Sequence, residues 1–128
     1  MLKWVQCVRR RPELTVVEFR RAWLEYGEEV VALAAELDAA RVEVSAALAV
    51  ESNAEWPRRR GAAAPFDGLA EIHFAGSAPE LLAALEAPGP KRRLEKLLAL
   101  QDRFVDVPHS AFFLASQDVE ATFSLGDV

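Results

Sequence analysis

Residues 15–37 carry the feature that most restricts the fold. Thr15-Val16-Val17-Glu18 matches a capping box, in which the hydroxyl and the carboxylate satisfy orphan amide donors reciprocally. Behind it Phe19, Ala22, Trp23, Tyr26, Val30, Leu33, Ala34 and Leu37 recur at helical spacing. Arg20, Arg21, Glu25, Glu28, Glu29 and Glu36 take the other side. A 3.6-residue period held over several turns predicts a long helix with one apolar side. Such a helix must lay that side on another layer. Gly27 falls mid-helix, where glycine costs about 1 kcal/mol relative to alanine. It is either a tolerated irregularity or a point of close packing.

Alternating segments supply the second layer. Residues 2–9 alternate with both faces largely apolar, which predicts a strand buried on two sides. Arg9-Arg10-Arg11-Pro12 ends it. Residues 41–51 set Val42, Val44, Ala46, Leu48 and Val50 against Arg41, Glu43, Ser45, Ala47, Ala49 and Glu51, a strand with one core face. Residues 66–74 form a third strand, opened by Pro65 and Asp67-Gly68 and closed by Gly76-Ser77. Its alternation puts Gly68, Ala70, Ile72 and Phe74 on one face and Asp67, Leu69, Glu71 and His73 on the other. Residues 104–116 read as the last strand, with Pro108 marking an edge or a bulge.

The connections are less regular. Residues 52–65, with Trp56 and the run Arg58-Arg59-Arg60, read as a long loop, a lid or a mobile segment. Ser77-Ala78-Pro79-Glu80 is a second capping box opening a short helix to residue 86. Pro88-Gly89-Pro90 is expected to break it. A further helical piece follows over 91–103, with Leu94, Leu97, Leu98 and Gln101 on one side. Residues 117–128 form an unassigned tail. The order strand, helix, strand, strand, helix, strand predicts an α+β, ferredoxin-like βαββαβ domain over residues 1–116. Its four-stranded antiparallel sheet carries helices on one face. The opposite face still bears apolar side chains, and a symmetric homodimer through the sheets is the economical way to cover it.

Composition narrows the function classes. With 128 residues, 52% hydrophobic and 27% charged, the chain suits one globular domain. A net charge of −5 argues against a nucleic-acid binder, which would need a basic surface. One cysteine, Cys7, cannot form an intrachain disulfide and reads as a small buried hydrophobe in a reducing cytoplasm. The start runs directly into a strand pattern, so no secretory leader is expected. No uncharged apolar run approaches the roughly 20 residues of a membrane helix. A cytoplasmic protein without a membrane partner is the expectation.

Three stretches resemble a known family. Phe19-Arg20-Arg21-Ala22-Trp23 places an aromatic pair one helical turn apart after an arginine-rich strand end. Phe66-Asp67-Gly68-Leu69-Ala70-Glu71-Ile72-His73-Phe74 is similar to the aromatic-Asp-Gly-Ile-Ala-Glu strand of EthD-like proteins, and Phe104-Val105-Asp106 also fits. The resemblance spans residues 2–116. It implies a dimeric α+β barrel, two ferredoxin-like protomers with their sheets face to face. Relatives in that superfamily include polyketide cyclases, small decarboxylases or dehydratases, and monooxygenases, many acting on aromatic substrates without metal or organic cofactor. One position departs: the family pattern usually has a histidine four residues after the tryptophan, and this chain has Gly27.

His73 and Glu71 are the candidate catalytic pair, two residues apart on one strand face. Imidazole titrates near neutrality and suits proton transfer. Structurally, His73 would instead pack in a dimer or pair with Glu71, and Glu71 would be a hydrogen-bond partner. Tyr26, Trp56, Asp67 and His109 are the candidate ligand-lining residues. A buried Tyr26 phenol also finds partners for structural reasons alone, and His109 equally suits an exposed edge. Trp23 and Phe19 belong to the core. No HxH, HExxH or CxxC is present, so no metal site is expected from local spacing. No glycine-rich phosphate loop or GxSxG elbow occurs either. The expected function is a cofactor-free pocket for a small apolar or aromatic molecule, with His73 or Glu71 moving a proton in a cyclisation, dehydration or decarboxylation. The alternative is a non-catalytic binding or accessory dimer. A haem-binding monooxygenase of the same superfamily is a third reading.

Overall fold

A computed structural model describes residues 1–124. Its elements run β1 (Leu2–Val8), α1 (Val16–Glu36), β2 (Arg41–Ala46), α2 (Ser52–Arg59), β3 (Gly68–Phe74), α3 (Ala78–Leu85), α4 (Pro88–Phe104) and β4 (Ala111–Ser116). The strands form one sheet in the order β2-β3-β1-β4. Every neighbouring pair is antiparallel. This is the ferredoxin-like βαββαβ arrangement, with α2 added to the β2–β3 connection and two helices in the second crossover. No described helix is long and apolar enough to cross a membrane.

Both capping boxes form. Thr15 Oγ1 accepts from the Glu18 amide while the Thr15 amide donates to the Glu18 carboxylate, and Ser77 and Glu80 repeat the exchange. From these starts α1 lays its stripe over β2 and β3 and against α4. Phe19, Trp23, Tyr26, Val30 and Leu33 are buried with Val8, Ala70 and Ile72 of the sheet and Leu97 and Phe104 of α4. The rings of Phe19, Trp23, Tyr26 and Phe104 interlock, with centroids 5.4–6.4 Å apart. Two glycines permit this packing. A Cβ on Gly68 would stand 2.7 Å from the Trp23 indole, and one on Gly27 would meet Val44 at 3.3 Å. Gly27 is therefore a point of close packing between α1 and β2.

Four expectations change. Residues 52–59 are helical rather than loop, although α2 buries no residue. Glu55 pairs with Arg58 and Arg59 one turn on, at 2.8 and 2.9 Å. Gly61, at φ +65°, closes the helix: the Ala62 amide bonds to the Pro57 carbonyl and the Gly61 amide to Arg58. Pro88 and Pro90 do not separate two helices from outside. They occupy the first turn of α4, where the missing N–H groups have no helical partner to lose. The last strand begins only at Ala111, because Phe104 still belongs to α4 and Val107–His109 form a 3-10 turn around Pro108. Residues 47–50 are not in a strand, so β2 ends at Ala46. Of the tail, residues 117–124 carry neither helix nor strand, and 125–128 lie outside the described residues.

Candidate functional site

Strand alternation divides the sheet into a helix-covered face and an open one. On the open face the register aligns three rows. Arg41, His73 and Lys3 stand opposite one another across β2, β3 and β1; Glu43, Glu71 and Val5 form the next row; Ser45, Leu69 and Cys7 the third. Alanine and phenylalanine of β4 continue them, with Ala115 beside Lys3, Phe113 beside Val5 and Ala111 beside Cys7. The face is therefore charged toward β2 and apolar toward β4.

His73 sits at the centre of the charged part, with only 7% of its side chain exposed. Its Nε2 is 3.9 Å from Glu43 Oε1, beyond hydrogen-bonding range, and has no hydrogen-bond partner. A donor atom of Glu43, of Glu71 and of His73 all lie within 4.8 Å of one another. Each carboxylate also has a cation: Lys3 Nζ lies 3.6 Å from Glu71, and Arg41 pairs with Glu43. In the third row a shallow apolar hollow of about 360 Å³ opens between Cys7, Ser45, Phe66 and Leu69. The Cys7 thiol is pushed up from its ordinary range, by burial first and by the Glu71 carboxylate second.

The expected ligand-lining residues are scattered around this centre. Tyr26 lies on the opposite side of the sheet. Its hydroxyl donates to Gln6 Oε1 and accepts from Gln101 Nε2 at 2.9 Å, all three residues being buried. Burial drives its pKa up to about 12, against the opposing pull of the two glutamine hydrogen bonds. Asp67 accepts a hydrogen bond from the Arg10 amide at 2.7 Å and so ties the end of β1 to the start of β3. Trp56 stands on the outside of α2, two-thirds exposed. His109 pairs through Nδ1 with Asp106 at 2.8 Å in the exposed 3-10 turn. Only Glu71 and His73 of the six are brought together.

Glu43 was missed. Its signal was present, since Arg41, Glu43 and Ser45 alternate onto the polar face of β2. Which strand that face would neighbour is not a local property. A separate apolar groove, about 620 Å³, runs between α1 and β2 past Trp23, Gly27, Val31, Val42 and Val44.

No family model matches the chain, and no curated protein matches it. Solved structures do. A dimeric protein of unknown function and ferredoxin-like fold from Bacteroides fragilis aligns at TM-score 0.63 and 11% identity, over 91% of this chain and 95% of its own. HapK from Hahella chejuensis aligns at TM-score 0.60 and 16% identity, over 98% and 100%. A protein from Arabidopsis thaliana aligns at TM-score 0.54 and 10% identity, over 95% and 100%. At such identities the likeness is one of fold.

Proposed function

We propose that this chain is an EthD-like homodimer whose two open sheet faces meet around a small, partly apolar molecule, and that His73 moves a proton on it. The observation that carries the reading is the His73 Nε2, buried 3.9 Å from Glu43 and without a hydrogen-bond partner, in a cluster that also holds Glu71. A buried imidazole nitrogen left unpaired is costly unless a ligand completes it. Its lone pair accepts a proton from the substrate. Glu43 and Glu71 then stabilise the imidazolium, and the hollow beside Leu69 takes the apolar body. The reaction class is a cyclisation, dehydration or decarboxylation, in which the substrate itself stabilises the carbanion or enolate.

The test is turnover of a substrate found by screening phenolic and polyketide-like acids. His73→Ala and Glu71→Gln are each expected to lower kcat by 10²-fold or more. Full turnover by both variants would reject the assigned roles. The second reading, a binding protein without catalysis, is favoured by the apolar α1–β2 groove at Gly27, where the family pattern has its histidine, and by the tie between Glu71 and Lys3. It is distinguished by ligand affinity that falls on Val44→Asp and is untouched by His73→Ala.

A further inference from the structure

We infer that Glu43, Glu71 and His73 form a binding site for a divalent first-row cation of the zinc class. The donors are two carboxylate oxygens and one imidazole nitrogen, from adjacent strands that the sheet holds in register. Zinc takes such ligands at about 2.0–2.2 Å, so tetrahedral donors stand roughly 3.4 Å apart. Nε2 and the Glu43 oxygen are already 3.9 Å apart, and all three donors lie within 4.8 Å. Side-chain rotation of the two glutamates closes the remaining distance without moving the backbone. Three protein ligands leave a fourth position for water or a substrate oxygen. One nitrogen with two oxygens selects against the purely oxygen-seeking calcium and magnesium and against soft copper(I).

The carboxylates alone would not make a site, since each has a neighbouring cation. His73 is what points to a metal: its side chain is only 7% exposed, its Nε2 has no hydrogen-bond partner and lies 3.9 Å from Glu43, and a ring nitrogen lies within 4.8 Å of both carboxylates. Displacing the cations costs little. Arg41 is 61% exposed on the edge strand β2, and Lys3 is 26% exposed and stands 3.6 Å from Glu71. Two carboxylates neutralise the dication, and the freed Lys3 and Arg41, which flank His73 in its row, favour an anionic fourth ligand.

Metal binding stands apart from the acid–base reading and rests on it only for one consequence. A metal and a proton cannot share the Nε2 lone pair, so zinc is expected to suppress any turnover in which His73 is the base.

The experiment uses the purified chain, stripped with EDTA and dialysed against zinc at neutral pH. One zinc per chain is expected, with a melting temperature raised by saturating metal. His73→Gln is expected to weaken binding at least tenfold and to abolish the thermal shift. Glu43→Gln, on a more exposed strand, is expected to weaken it as well and serves if the His73 variant does not fold. Cys7→Ser and His109→Ala, which alter the other zinc-seeking side chains, are expected to leave binding intact. Absence of stoichiometric zinc overturns the site. So does zinc retained equally by His73→Gln and Glu43→Gln, or zinc lost on Cys7→Ser or His109→Ala. None of these results bears on dimerisation or on turnover in metal-free buffer.

Discussion

Between α4 and the sheet, Gln101 donates to the Tyr26 hydroxyl, which in turn donates to Gln6. Three buried polar side chains satisfy one another there, so the phenol links helix to strand rather than facing a ligand. Tyr26→Phe removes the shared partner from two buried amides and is expected to cost about 1–3 kcal/mol at neutral pH, read by urea unfolding. The pKa near 12 adds a pH signature. A folded-state value above the ordinary 10 means that the native chain holds a proton that the unfolded chain gives up. This contribution is whole below pH 10 and is lost as pH rises toward 12, at up to about 1.4 kcal/mol per unit. The phenylalanine variant lacks that loss, so the stability gap between the two proteins should narrow across this window. Parallel profiles would show the phenol titrating normally.

Elements with a buried side declared themselves in the sequence, and those without one did not. The α1 stripe and the alternation of β3 follow from the need to bury one face, and the two capping boxes from the need to satisfy the free amides of a helix start. The helix α2 buries nothing and contains Pro57, so neither period nor propensity reveals it; its support is the Glu55 ion pairs and the Gly61 cap. Pro88 and Pro90 mark a helix start as well as they mark a break, and only the chain beyond them decides which. For the site, β3 alone gives the shared side of Glu71 and His73, whereas Glu43 joins them through pairing with β2, which no spacing encodes. Packing of α1 on β3 depends on Gly68, over which the Trp23 ring lies while its Nε1 donates to the Ser45 carbonyl at 3.0 Å. Gly68→Ala pushes a Cβ into a rigid indole and is expected to destabilise by about 1–3 kcal/mol. Gly68→Ala combined with Trp23→Phe should recover part of this, because the smaller ring vacates the space. Additive losses in that double variant would mean that the indole is not what requires the glycine.

At the scale of the molecule, the helices protect one side of the sheet and leave the other half apolar. Phe113 is 47% exposed and Leu69 37% on that open side, beside the nearly buried Val5. A second copy is the expected cover, since a two-fold pairing brings the same apolar strip together from both chains and encloses the charged rows beside it. The expected mass in sedimentation at micromolar concentration is then twice the 14.1 kDa of the chain. Phe113→Lys puts a charge on that apolar strip in each copy, at a side chain that is 47% exposed in the protomer and touches the core only beside Val5. It should give a monomer that melts as one folded unit, with a midpoint that no longer rises with protein concentration. A wild-type chain that sediments at 14.1 kDa would remove the enclosure, and proton transfer at His73 would then have to occur on a face open to water.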